Sequence, residues 1–196
     1  MNVLIACEYS GVVRDAFRSQ GHNAVSCDYL PTEVEGPHIQ GDALEAIKSQ
    51  KWDMLIAHPP CTHLSVSGAK WFAEKRADGR QQEALAFVEA LLSADIPRIA
   101  LENPVSVISS YIRKPDQYIH PWQHGHGETK KTGLWLKNLP LLIPSDIVDG
   151  REQRVWKMGP SPARSKERSR TYQGIANAMA HQWGRENYER QLAFIM

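Results

Sequence analysis

The chain alternates short apolar runs with helix-patterned segments. Asn2–Cys7 is an apolar run that stops at the polar turn Glu8-Tyr9-Ser10-Gly11, and Val12, Val13, Ala16 and Phe17 then follow helical spacing until Gly21. Asn23–Cys27 reads as a second strand ending at Asp28, and Asp53–Ala57 as a buried strand entering the turn His58-Pro59-Pro60-Cys61. Ala84, Phe87, Val88, Leu91 and Leu92 mark one face of a helix over residues 80–93, and Arg98–Leu101 predicts a strand leading into Glu102-Asn103-Pro104. Residues 105–130, rich in His, Pro, Gln and Gly, lack a clean period and read as a loop or lid. A last strand is expected at Leu134–Leu136 and a last helix from about Gly174 to Arg185.

Strands alternating with helices predict an α/β fold with a doubly wound, mostly parallel sheet. In such sheets ligands sit outside the carboxyl ends of the strands. Glu8, Asp28, Cys61 and Glu102 all fall at those ends.

With 196 residues, 42% of them hydrophobic, the chain suffices for one core and predicts a single domain over residues 1–196. It has no run of about 18 apolar residues and no basic leader, so a cytoplasmic protein without membrane contact is expected. Three cysteines, Cys7, Cys27 and Cys61, include no CxxC pair and should be reduced thiols. Residues 1–60 carry four Lys/Arg against eight Asp/Glu, whereas residues 151–170 carry seven against two. That basic segment suits phosphates, or is simply a solvated loop.

The Tyr9–Val12 turn opens a helix whose first N–H groups can meet an anionic part of a cofactor. An acid at the end of the second strand, here Asp28, is where α/β nucleotide binders hold ribose hydroxyls. Pro59 and Pro60 fix the backbone ahead of Cys61 and aim its thiol off the sheet edge, as a nucleophile requires; a buried structural cysteine is the commoner fate of such a residue. A metal formed by His58, Cys61 and His63 lacks a fourth ligand, and none is expected. Glu102, ending a buried strand, should be partly desolvated with a raised pKa, able to give or share a proton.

The order of these pieces resembles the DNA cytosine-5 methyltransferases, in particular a small, phage-like member. Ala6–Gly11 stands where the family has its Phe-x-Gly-x-Gly turn, retaining only Gly11; Gly41-Asp42 is similar to the Gly-Asp beside the adenine amine. Asp53–Gly68, with Pro59-Pro60-Cys61 and Ser65-Val66-Ser67-Gly68, resembles the nucleophile motif over its whole length, and Ala100–Pro104 the Glu-Asn motif. Glu128–Thr132 stands for Gln-x-Arg-x-Arg and keeps a cation only at Lys130; Arg170–Ala178, with Asn177, looks like the closing motif that returns to the cofactor pocket. Residues 137–169 are a short connection where typical members insert a target-recognition domain.

The resemblance implies a Rossmann-like, S-adenosyl-L-methionine-dependent methyltransferase acting on carbon 5 of cytosine in DNA. Cys61 would add to carbon 6, Glu102 would contact ring nitrogen 3, and Lys130 would favour the thiolate. Glu8, Tyr9, Ser10, Gly11, Asp28, Asp42, Pro59 and Asn177 would line the cofactor site. The same chemistry on a free nucleotide or single strand, or a non-catalytic nucleic-acid or nucleotide-binding relative, are the alternatives, and the oligomeric state is open, a homodimer included. Amine methyltransferases use an Asp/Asn-Pro-Pro-aromatic turn, both of whose ends differ here, at His58 and Cys61.

Overall fold

The computed structural model describes residues 1–157, 161 and 167–185. The described part of the basic segment 151–170 is therefore 151–157, 161 and 167–170, and the rest of it lies outside the described residues. The strands are β1 (Asn2–Ala6), β2 (Asn23–Asp28), β3 (His38–Gln40), β4 (Met54–Ala57), β5 (Arg98–Pro104), β6 (Gln117–Ile119) and β7 (Thr132–Lys137). They form one sheet in the order β3-β2-β1-β4-β5-β7-β6, with β7 antiparallel to both neighbours and the β1, β2, β3, β4 and β5 pairings parallel. The strand order reverses between β1 and β4, which opens a crevice at their carboxyl ends.

β1 from Val3, β4 throughout and β5 over residues 99–101 are apolar because helices cover both faces of the sheet. Val3, Ile5, Met54 and Ile56 pack on one face against Phe17 of α1 (Val12–Ser19) and Ile175, Met179 and Trp183 of α7 (Gln173–Trp183). Leu4, Leu55, Ile99 and Leu101 pack on the other against Val88 and Leu91 of α4 (Arg80–Leu92), with Trp52 and Trp135. This alternation is the period of two of a strand, and each fully buried Leu, Ile or Phe contributes roughly 1.5–3 kcal/mol. The shorter helices are α2 (Ala43–Lys48), α3 (Phe72–Ala77), α5 (Ile108–Tyr111) and α6 (Arg154–Lys157). Among the described residues no helix is long and apolar enough to cross a membrane.

Two expectations change. The segment 105–130 is not all loop: it supplies α5 and the edge strand β6, whose three residues are too few to show a period. The last strand is twice its expected length and antiparallel, pairing Thr132–Lys137 with Ile99–Pro104. Glycine is required where α7 starts, since a Cβ on Gly174 would stand 1.7 Å from the His124 carbonyl oxygen.

Candidate active site

At the carboxyl ends of β1, β4 and β5 lies a cavity of about 850 Å³. Its floor is set by strand ends, with Cys7 after β1, His58 to Cys61 after β4, and Glu102 with Asn103 on β5. Its walls come from later in the chain: His120, Thr129 to Lys131, Gln153, Arg168 and Ser169.

The turn bearing Cys61 is tied down on several sides. Asn103 Nδ2 donates to the Pro59 carbonyl oxygen at 2.9 Å, joining β5 to the turn. Beyond it, Lys75 Nζ donates to the Thr62 carbonyl at 2.5 Å and Gln81 Nε2 to the His63 carbonyl at 3.1 Å. The Cys61 carbonyl accepts from the N–H groups of Leu64 and Ser65. A proline pair with restricted φ and these bonds together hold the main chain that carries Cys61. Burial pushes the Cys61 thiol up, while the nearby charges of Arg168 and Lys130 pull it down and that of Glu102 adds to the rise; the net shift is upward.

Glu102 departs from its expected state. Its side chain is only 12% exposed, and burial does push its carboxyl up, but a hydrogen bond from His58 and the charges of Lys130 and His58 outweigh burial and hold it below the usual carboxylate range. His58 Nδ1 donates to Glu102 Oε2 at 2.9 Å. An ionised carboxylate only accepts, so Nδ1 carries a proton. The raised pKa expected from the end of a buried strand does not arise, because the strand next door supplies a partner.

Lys130 also reaches the cavity. Its Nζ donates to the carbonyls of Arg168 at 2.8 Å and Arg170 at 3.4 Å, and lies 5.8 Å from the centroid of the Tyr172 ring. Arg168 Nη2 donates to Ser67 Oγ at 3.1 Å, while the hydroxyls of Tyr9 and Ser169 are 3.0 Å apart and Arg170 pairs with Glu33. Residues 168–170 thus span from the loop after Cys61 to the turn after β1.

The residues expected to hold a cofactor separate into groups. Pro59 lines the cavity with Cys61, Glu102 and Lys130. Glu8, Tyr9, Ser10 and Gly11 follow β1 and Asp28 ends β2, beside it. Glu8 is 5% exposed and its carboxylate accepts from the N–H groups of Val13 at 2.7 Å and Arg14 at 3.2 Å, and from Ser10 Oγ. The start of α1, read as open to an anion, therefore already carries one from its own chain. Burial raises the Glu8 pKa, and the charge of His58 and these hydrogen bonds offset it only in part.

Gly11 has φ +75°, and a Cβ there would stand 2.6 Å from Arg14 Nη2. Arg14, fully buried, donates from its guanidinium to Ser26, Thr32, Asp15 and the carbonyls of Val34 and Glu35, holding the loop after β2 beneath that turn. Asp28 Oδ1 accepts from the Leu30 N–H at 2.9 Å. Asp42 caps α2 through the N–H groups of Leu44 and Glu45 and accepts from the Tyr29 hydroxyl at 2.6 Å, which lowers its pKa. Asn177 does not join this edge of the molecule. It is exposed on α7, accepts from Gln173 Nε2, and lines a separate depression with Ala16, Ser19 and Ser145.

Several lining residues escaped the sequence reading as part of the site. Arg168 was one charge in a basic run, Asn103 a turn former, and Cys7 one of three thiols; Cys7 sits at φ +60° and its thiol is pushed up to about 12, chiefly by burial. His58 reads in sequence as a metal ligand or as a departure from the amine methyltransferase turn, although its position directly after an all-apolar strand is a signal for the site.

No family model and no curated protein matches this sequence. Among solved structures, a prophage-encoded protein of E. coli assigned as a DNA modification methyltransferase superposes with a TM-score of 0.51 at 14% identity, over 76% of this chain and 52% of that one. The fold is that of the Rossmann-like, S-adenosylmethionine-dependent methyltransferases. A DNMT2 variant of Spodoptera frugiperda gives a TM-score of 0.44 at 15% identity, over 78% of this chain and 54% of that one. The chain spans about half the length of both structures. In this methyltransferase fold the cavity lies at the switch point between β1 and β4.

Proposed function

We propose that the chain is a small member of the DNA cytosine-5 methyltransferase family, and that it methylates carbon 5 of cytosine in DNA through a covalent adduct on Cys61. The observation that carries this reading is the pairing of Cys61 and Glu102 in one cavity, on the ends of adjacent strands bound together through Asn103 and Pro59. Carbon 5 of the ring is a poor nucleophile; addition of the thiolate at carbon 6 turns it into an enamine carbon. As sulfur bonds to carbon 6, electron density moves to ring nitrogen 3, and a carboxyl within reach stabilises it by hydrogen bonding. Glu102 keeps Oε1 for this, since His58 engages only Oε2; a carboxylate only accepts, so the bond forms as ring nitrogen 3 takes up a proton from water and donates it to Oε1. Lys130 and Arg168 favour the thiolate through their charge.

The residues beside the cavity fit S-adenosylmethionine at its nucleoside end. Asp28 spends one oxygen on the Leu30 N–H, leaving the other for a ribose hydroxyl, and the exposed Tyr29 and Leu30 offer apolar surface to a purine. When bound, this cofactor supplies an electrophilic methyl group. Asp28, the Tyr9–Gly11 turn and Pro59 would hold it, whereas Glu8 serves the start of α1.

A second substrate reading, a free cytosine nucleotide or a single strand, draws support from Lys131 and Arg168. Two cations on the wall of a cavity of about 850 Å³, roomy enough for more than a base, match one phosphate, and neither substrate requires a base to be flipped from a duplex.

The test is incubation with methyl-labelled cofactor and separate DNA, RNA and nucleotide substrates, for the wild type and Cys61→Ser. Methyl transfer lost in Cys61→Ser, with a 5-fluorocytosine substrate trapped only by the wild type, is the expected result. Cofactor binding without transfer to any substrate would leave a binding protein, and transfer surviving in Cys61→Ser would overturn the adduct.

A further inference from the structure

His58 is placed as a base without a proton to take. Its side chain is 6% exposed, its Nδ1 donates to Glu102, and its Nε2 is buried without a hydrogen-bond partner among the described residues. The residue lines the same cavity as Cys61, three positions ahead of it across Pro59 and Pro60. A carboxylate on one ring nitrogen fixes the imidazole's orientation and tautomer and stabilises the imidazolium that forms when the other takes a proton.

We propose that His58 is the general base that removes the Cys61 thiol proton, with Glu102 as its positioning residue; this rests on the covalent reading given above. In the step, the proton passes from Cys61 Sγ to His58 Nε2, directly or through one water, and the S–H electron pair stays on sulfur. A thiolate and an imidazolium bound to Glu102 result, so the net charge of the site is unchanged.

The other groups around the cavity are poorer candidates: His120 on the wall also has an unpartnered Nδ1 among the described residues, but it stands outside the Cys61 turn, and burial with the charges of Lys131 and Arg151 lowers its pKa. Lys130 and Arg168 are cations with no lone pair to offer. Glu102 is already committed to His58. Cys7, on the floor after β1, is itself an acid, and the Glu8 carboxylate is engaged by α1. Glu8 from the end of β1 and Glu102 from β5 act on His58, while Lys130 from the segment entering β7 acts on Glu102 and Cys61, and Arg168 on Cys61. Burial and Glu102 push the Cys61 thiol up against the pull of the two cations, so loss of its proton near neutrality calls for an acceptor beside it, and the unpartnered Nε2 of His58 is placed for that.

The experiment is alkylation of Cys61 by iodoacetamide across pH 5–10, followed by peptide mass spectrometry so that Cys7 and Cys27 are scored separately, in the full chain and without cofactor or substrate. The wild type should show a reactive plateau near neutrality; His58→Gln should lose it and alkylate at pH 7 at least about tenfold more slowly, with Glu102→Gln between the two. Coincident profiles in wild type and His58→Gln would overturn the proposal. Should His58→Gln fail to fold by circular dichroism, the wild type alone decides: the histidine nitrogens, followed by NMR, must titrate differently for His58 after Cys61 has been alkylated, and an unchanged titration overturns the proposal. Methyl transfer is not read in either arm, so a chain that alkylates as expected and transfers no methyl group would overturn the proposed function while leaving the base in place.

Discussion

Asn103 Nδ2 and the Pro59 carbonyl oxygen, 2.9 Å apart, join the residue after Glu102 to the turn that ends in Cys61. The bond is buried and sets the distance between the two groups that the chemistry needs together. Replacing Asn103 with Ala leaves the Pro59 carbonyl without this donor, a loss of about 1–3 kcal/mol in folding stability. Urea denaturation measures that loss. Trapping with a 5-fluorocytosine substrate should fall further than the stability change accounts for, and unimpaired trapping would show that the bond does not position the thiol.

Glu102 has a folded-state pKa held below its unfolded value, so its contribution to stability is present above the unfolded carboxylate range and is lost as pH falls through the folded value. Glu102→Gln should therefore flatten the acid side of the stability–pH curve, between about pH 5 and pH 3, the range of ordinary carboxylates. Denaturation curves at half-unit pH steps test this, and equal slopes in wild type and variant would contradict it.

Glu8 has the opposite sign. Its folded-state pKa is raised, so its contribution is present below the unfolded value and is lost as pH rises through the folded one. Glu8→Gln keeps an oxygen for the Val13 N–H and removes the buried charge, and should match or exceed wild-type stability at pH 8. Glu8→Ala removes the cap altogether and should cost about 0.5–2 kcal/mol. Thermal melts of the pair distinguish capping from charge.

Gly11→Ala forces a side chain into a left-handed backbone and against Arg14 Nη2. The backbone alone accounts for about 1–2 kcal/mol, and displacement of a guanidinium bonded to several groups of the loop after β2 adds to it. Lower melting temperature with loosened amide protection over residues 32–36 is the expected result, read by hydrogen exchange; full protection there would separate Arg14 from that loop.

Lys130→Met removes one of the two cations that pull the Cys61 thiol down, so the alkylation profile of Cys61 should move to higher pH. A profile that does not move would assign the whole effect to Arg168.

The central strands were readable because β1, β4 and the first half of β5 are buried on both faces and carry unbroken apolar runs, at residues 3–6, 54–57 and 99–101. β6 was not, since three residues at the sheet edge carry too little periodicity, and the direction of β7 leaves no mark on the spacing of its side chains. Cys61 and Glu102 were readable as polar residues that follow apolar runs, although β5 continues past Glu102 to Pro104. Their protonation states were not, because each depends on partners brought from elsewhere: His58 lies 44 positions before Glu102, and Arg168 over a hundred after Cys61. Asn177 is named by its neighbours in sequence alone, and α7 presents it exposed, in a depression apart from the Cys61 cavity. The buried Arg14 had no signal either, because a charged residue on a helix is ordinarily solvated.

The Glu8 carboxylate at the start of α1 also bears on which molecules the neighbouring turn tolerates. The N–H groups of Val13 and Arg14 already have their acceptor in Glu8, so a ligand presenting its own carboxylate or phosphate to that helix end finds those donors taken. The turn is thereby biased towards neutral or cationic groups, and a ligand with an anionic tail must turn that tail away from α1.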